Sequence, residues 1–287
     1  MKLSQSGAEI YIPDGSNQDL ALARTTHLAI SAHQDDIEIM AVDGILECFQ
    51  QGDKWFSGVI LTDGRASPRN GIYGQYSDAD MMAVRVQEQK RAALVGGYSA
   101  QVFCAHPSAH VKQGGNQPVI EDIKTVVSAT SPHTLYTHNL ADKHPTHVAV
   151  AVRVIEALRQ LPTEQRPERV FGCEVWRDLG WMQDDEKVVF DCSTRQNLQE
   201  ALLGVFDSQI SGGKRYDLAA MGRRIANATF LASHETDTAT GLSIAMDLSP
   251  LVADPGLDIQ TYVGAFIERF ATDVNRMINA AIIGKEN

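Results

Sequence analysis

From residue 27 to residue 160, short apolar runs alternate with longer stretches of helical periodicity, and no other feature restricts the fold as much. HLAIS at 27–31 follows a polar lead-in and has the length and composition of a buried strand. Apolar residues then recur at helical spacing over 37–51, as far as Gly52, and SGVILT at 57–62 is the next strand. The pattern continues with a helix over 79–95 stopped by Gly96 and Gly97, a strand at 101–104, a helix over 119–130, a strand at 133–137 and a helix over 145–159. Pro145 suits the first turn of that helix, where its missing N–H would have no partner in any case. Strands separated by helices pair in parallel, and both apolar faces of the sheet then need cover. The expectation is an α/β fold with a mainly parallel sheet and helices on both faces, in one domain over 1–287. Later strands are expected at 169–176 and 187–191, and helices near 196–206, 214–231 and 259–282. Residues 1–25 then form an N-terminal extension and 190–287 a helix-rich C-terminal part. In such sheets, sites form at the carboxyl ends of strands.

The formal net charge of −11 argues against a nucleic-acid partner, which would need a basic patch. The four cysteines, Cys48, Cys104, Cys173 and Cys192, are far apart and without C-x-x-C spacing, so they read as buried thiols in a reducing compartment. MKLSQSGAEIYIPDG lacks the apolar core of a secretory signal, and no apolar run approaches the roughly 18 residues of a membrane span. A cytoplasmic protein is expected, and a homo-oligomer is compatible with the sequence.

Two clusters carry chemistry. His33-Gln34-Asp35-Asp36 follows the first strand, at its carboxyl end, and crowds one imidazole and two carboxylates together. Such groups repel one another unless a cation or hydrogen bonds compensate; equally, Asp35 or Asp36 could cap the helix that starts near Ile37. The second cluster runs from His138 to His147, after another strand, and includes Asp142, His144 and His147. His144 and His147 are three apart and share one face of a first helical turn. Both clusters lie after strands of one sheet and so face one crevice. Two imidazoles and one carboxylate form a catalytic zinc set with a position left for water, and the remaining carboxylate is available to take that water's proton.

At this point a resemblance enters. The segment AHQDD resembles the AHPDDE signature of the PIG-L/LmbE-like de-N-acetylase family, and HPTH after Asp142 resembles its D-x-HPDH segment. Arg85-Val86-Gln87-Glu88 is similar to its R-x-x-E helix. Ala201-Leu202 through Phe206-Asp207-Ser208-Gln209 is similar to its C-terminal AL-x-x-H-x-SQ segment. The resemblance implies a Rossmann-like three-layer fold and one divalent metal ion, zinc first, held by His33, Asp36 and His147. It implies Asp35 as general base and His144 as oxyanion stabiliser or proton donor. Arg85 and Asp142 would contact the polar head of the substrate, a small N-acylated, first of all N-acetylated, amino sugar or sugar conjugate. The departures are Gln34 for proline, Ile37 for glutamate, Thr146 for aspartate and Phe206 for histidine; none removes a ligand or the base, but surrounding changes of this kind cost 10–100-fold in affinity or activity.

The alternative is a non-catalytic or sugar-binding relative of the same fold, against which the retained Asp35 argues. A nucleotide-binding Rossmann enzyme is disfavoured because no G-x-G-x-x-G follows the first strand. His27, His106, His110, His133 and His234 read as structural, His138 as a neighbour of the site, and Trp176 and Trp181 as core.

Overall fold

The computed structural model describes residues 1–284; the last three residues of the expected C-terminal part, 285–287, lie outside them. The segment expected to be an extension is ordered. Glu9–Tyr11 forms strand β1 and Gln18–Ala23 helix α1, capped by the Asn17 side chain, which accepts from the N–H groups of Asp19 and Leu20. Strand β2 is His27–Ser31, buried at every residue. The single helix expected over 37–51 is two, α2 (Asp36–Met40) and α3 (Val42–Cys48), broken at Ala41 where φ is −113° and ψ 27°. There follow β3 (Phe56–Thr62), α4 (Asp78–Val95), β4 (Ala100–His106), α5 (Ser108–Lys112), α6 (Gln117–Thr130), β5 (Thr134–His138) and α7 (Pro145–Gln160). The C-terminal part contains β6 (Arg169–Cys173), β7 (Val188–Asp191), α8 (Gln196–Gly204), α9 (Asp207–Ile210), α10 (Tyr216–Phe230), β8 (Leu242–Asp247), α11 (Ser249–Ala253) and α12 (Ile259–Ile283).

The eight strands form one sheet in the order β1-β4-β3-β2-β5-β6-β8-β7. The five in the middle, from β4 to β6, are parallel, as the alternation requires. β1 adds antiparallel to one edge, and β8 and β7 add antiparallel to the other. Alternate residues of each strand enter different cores. Leu28, Ile30, Val59 and Leu61 pack with α6 and α7 on one face, whereas Ala29 and Ile60 pack with α2, α3 and Phe56 on the other. Both faces are covered, so these strands carry near-continuous apolar runs.

The chain moves outward from β2 through β3 to β4, then returns to the other side of β2 to add β5. The connections leaving β2 and β5 therefore diverge, and a crevice opens at the carboxyl ends of these two strands. That crevice receives both histidine–aspartate clusters.

Candidate active site

The first cluster is held tightly against the end of β2. Asp35 adopts φ 93° and ψ −28°, a left-handed conformation that costs a non-glycine residue on the order of 1 kcal/mol. Two contacts from α4 fix it there: the Asp35 N–H donates to Gln89 Oε1 at 3.2 Å, and the Arg85 guanidinium donates to the carbonyl of Gln34. Asp35 makes no side-chain cap bond to α2. Asp36 turns back instead, and its Oδ2 accepts from the His33 N–H at 2.7 Å. Neither carboxylate is spent on capping.

The second cluster is positioned by the start of α7. His144 is the N-cap residue, its Nδ1 accepting from the Thr146 N–H at 3.3 Å, so its proton sits on Nε2. His147, one turn along, is fully buried and points back beneath His33. Three ligand-type atoms now face one another: His33 Nδ1 and Asp36 Oδ2 at 3.2 Å, His147 Nε2 and His33 Nδ1 at 3.2 Å, and His147 Nε2 and Asp36 Oδ2 at 3.4 Å. Bonds of 2.0–2.1 Å in a tetrahedral zinc site give ligand-to-ligand edges of about 3.3 Å, and this triangle matches one such face. Two imidazole nitrogens at this separation also require a proton or a cation between them. The donor set and its spacing therefore fit a divalent ion.

Asp142 supports the triangle from behind. Its Oδ2 accepts from His147 Nδ1 at 3.4 Å and from the Trp176 N–H at 3.1 Å, and its Oδ1 accepts from the His144 N–H at 2.9 Å. Its side chain has no exposed surface. The residue expected to contact substrate thus holds the His147 tautomer that leaves Nε2 free. His138 lies behind as well. Its ring stacks on His147 at 3.9 Å, and its Nε2 accepts from the Ala32 N–H at 2.9 Å and stands 3.5 Å from Asp36 Oδ2.

The charges follow from this packing. Burial alone would raise the Asp36 carboxyl, but His147, His138 and His33 outweigh it and hold it well below the usual carboxylate range. Burial pushes Asp35 up to about 7, with Arg85 opposing and Asp36 reinforcing the shift. Burial would lower His147, yet Asp36 and Asp142 raise it above its ordinary value. Burial, helped by His147 and His33, takes His144 down to about 4, leaving a neutral ring at pH 7.

Arg85 is 2% exposed, with Nη2 3.4 Å from Asp35 Oδ2 and Nη1 3.8 Å from Glu88 Oε2. It touches the cleft, yet its guanidinium mainly braces Asp35. Glu88 in turn accepts from the N–H and O–H of Ser208, at 2.6 and 2.7 Å, which ties α4 to α9.

The cleft above these groups has a volume of about 340 Å³. The loop after β3, at the carboxyl end of that strand, supplies Gly64, Ala66, Ser67 and Pro68 to one wall. Trp176, expected in the core, lines the opposite wall, its ring parallel to His144 with centroids 6.4 Å apart. The strand expected over 169–176 ends at Cys173, which frees Trp176 to stand beyond its carboxyl end. Lys214, Tyr216 and Gln209 complete the cleft from the C-terminal part; nothing in the local pattern marks Lys214 or Tyr216. The departures from the signatures are absorbed locally. Ile37 is buried among apolar neighbours, Phe206 is 1% exposed, and Thr146 supplies the N–H that His144 accepts.

Residues 28–158 match the model of the PIG-L family, described as GlcNAc-PI de-N-acetylase. No curated protein matches the chain significantly. Solved structures share the fold at low identity. The N,N'-diacetylchitobiose deacetylase from Pyrococcus horikoshii is 16% identical with a TM-score of 0.56, over 81% of this chain and 88% of that one. The A40926 pseudoaglycone deacetylase Dbv21 is 18% identical with a TM-score of 0.56, over 78% and 97%. GalB, the 4-carboxy-2-hydroxymuconate hydratase from Pseudomonas putida KT2440, is 17% identical with a TM-score of 0.57, over 78% and 95%. The fold therefore hosts more than one reaction, and the side chains must decide among them.

Proposed function

We propose, on the premise that residues 28–158 belong to the PIG-L family of de-N-acetylases, that this protein hydrolyses the amide of an N-acylated amino sugar or sugar conjugate, acetate being the first acid to test. The observation that carries this reading is the triangle of His33, Asp36 and His147 with Asp35 beside it on the same cleft. The three would hold a divalent cation, zinc in our reading, which when bound supplies a Lewis acid that acidifies water and polarises a carbonyl. Asp35 accepts the proton of the attacking water and returns it to the nitrogen as the C–N bond breaks. The water oxygen ends on the acyl carbon, giving a carboxylic acid and a free amine. His144 donates from Nε2–H to the carbonyl oxygen as negative charge builds there; being neutral, it acts as hydrogen-bond donor rather than as acid.

The family match ends at residue 158, but Trp176, Gln209, Lys214 and Tyr216 complete the cleft. We therefore treat 1–287 as one working unit. A sugar-binding protein without turnover would have no use for a buried carboxylate held in a strained conformation beside the triangle. Among the described residues no helix is long and apolar enough to cross a membrane. The test is elemental analysis of the purified protein followed by an acetate-release screen over N-acetylated sugars and conjugates. One divalent ion per chain and acetate from at least one amide are expected. A fully loaded protein that adds water to a double bond and releases no acid from any amide would replace this reading with a hydratase.

A further inference from the structure

Beside the reaction cleft lies a second chamber of about 300 Å³, and the two share Ile39, Val175, Trp176, Lys214 and Tyr216 as a common wall. Its charge runs against that of the whole chain, whose net value is −11. Lys143, Lys214, Arg223 and Arg224 line it, and among the described residues none of them has a carboxylate within ion-pair distance. Arg224 is 4% exposed and donates to Gln199 Oε1 at 2.9 Å and to the Glu38 carbonyl at 2.7 Å, so a buried cation stands there without an anion. Arg223 is braced by the carbonyls of Val175 and Trp176. A fifth cation, Arg215, is neutralised by Asp217. The one acid on the wall, Glu174, lies near enough to Arg223 to feel its charge but makes no ion pair with it: its oxygens accept from the N–H groups of Leu179 and Ile244 and from the Asn227 amide, which leaves Lys143 and Lys214 as the cations without any acid on this wall.

Lysines and arginines left unpaired around a concave, partly desolvated surface attract an oxyanion, and Arg presents the fork that carboxylate and phosphate share. The position matters as much as the charge. Trp176 stands 6.4 Å, ring to ring, from His144 and 5.2 Å from Lys214 Nζ, so one side chain bridges the reacting end and the cationic end. Tyr216 packs edge-on against the same ring at 5.9 Å. The aromatic wall of Trp176 and Tyr216 is thus common to both chambers.

We propose that the second chamber is a subsite for an acidic substituent of the substrate, a carboxylate or a phosphate ester, which meets Lys143, Lys214 and Arg223 while the amide lies against Asp35 and His144. The assignment of the amide end rests on the deacetylase reading; the assignment of the acidic end rests on the chamber alone. The substrate is then an anionic amino sugar amide rather than a neutral one.

Binding separates the two assignments. Glucosamine, muramic acid and glucosamine 6-phosphate carry the same ammonium group and no amide to hydrolyse, and they differ in having no acid, a carboxylate or a phosphate. In calorimetric titrations of the metal-loaded protein, the acidic sugars should bind about tenfold more tightly than glucosamine, and the gap should shrink as salt screens it. The tighter of the two names the acid. The pair Lys143→Gln and Lys214→Gln should close most of the gap, whereas Lys143→Arg with Lys214→Arg should keep it. Both lysines are exposed, and a melting curve verifies that each variant is folded. Equal binding of all three sugars by the wild type would overturn the proposal, as would a gap that survives the glutamine pair in a folded protein. Acetate release from the three N-acetylated counterparts tests the other reading independently. Absence of acetate from all of them strikes the deacetylase assignment, while the titrations still decide the subsite.

Discussion

Replacing Asp142 by asparagine should weaken metal binding 10- to 100-fold while leaving the fold in place. Three N–H donors converge on this carboxylate: the His144 N–H on Oδ1, at 2.9 Å, and the Trp176 N–H and His147 Nδ1 on Oδ2, at 3.1 and 3.4 Å. An asparagine keeps one acceptor oxygen and presents an NH₂ group in place of the other. With its oxygen toward His147, the ring keeps its tautomer and only the His144 N–H loses an acceptor. With the NH₂ toward His147, the ring must carry its proton on Nε2, the nitrogen that faces His33 and Asp36, and the site loses a lone pair. The first arrangement is cheaper, at one buried unsatisfied donor, or about 1–3 kcal/mol. At roughly 2 °C per kcal/mol for a chain of this size, the metal-free variant should melt only a few degrees lower. The loss of metal affinity comes from His147, which is now oriented by a neutral carbonyl instead of a carboxylate. Competition against a chromophoric chelator measures it, and steady-state kinetics on an excess of metal measures the rest. Wild-type metal affinity combined with a raised KM would place Asp142 on the substrate and refute its role behind His147.

Four further outcomes follow from the same geometry. Asp35→Asn should retain the metal and lose 10²–10⁴-fold in kcat, because the amide cannot accept a proton; loss of metal in that variant would exchange the roles of Asp35 and Asp36. His147→Ala should reduce metal content sharply while circular dichroism and cooperative melting persist, and full metal content would break the triangle as a site. Arg85→Ala should destabilise the protein by about 3 kcal/mol, since it leaves Asp35, Glu88 and the Gln34 carbonyl without their buried cation; a lower kcat/KM at an unchanged Tm would instead restore a purely substrate-facing arginine. Asp43 supplies a test of pH dependence away from the metal ligands. Burial pushes its carboxyl up to about 6, against the hydrogen bond from the Tyr136 O–H. The folded state therefore binds that proton more tightly than the unfolded chain, and the associated stability is full below pH of about 4 and is lost as pH rises through 6. In urea melts, Asp43→Asn should gain on the wild type by about 2 kcal/mol between pH 4.5 and 7.5, after allowance for partial exposure; parallel stability curves would show that the carboxyl is not shifted.

The parallel centre of the sheet was legible because each of its strands is buried on both faces and so reads as an apolar run. The edges were not. β1 is a three-residue strand inside a polar leader, and it exists because β4 offers it an antiparallel partner. β8, the run LSIAMD, follows a long polar stretch and inserts between β6 and β7, an order that adjacency along the chain does not suggest. The two histidine–aspartate clusters were legible for a different reason: metal-type residues crowded at strand ends are costly without a common purpose. Part of their support lies inside the clusters, in Asp142 and His138, but part comes from elsewhere in the chain, from the Trp176 N–H and from Gln89, and leaves no local trace. Gln34 shows why. Read along the sequence, it is only a substitution within a signature. In the structure its side chain is 1% exposed and occupies the space beside Gly64, where an added Cβ would stand 2.7 Å from Gln34 Oε1. Gly64 is itself at φ +76°, a conformation that other residues adopt at a cost. The larger residue after His33 and the bare backbone at the start of the cleft loop therefore form one fitted pair across thirty residues, and a side chain at 64 would displace Gln34 behind the wall to which Gly64 contributes.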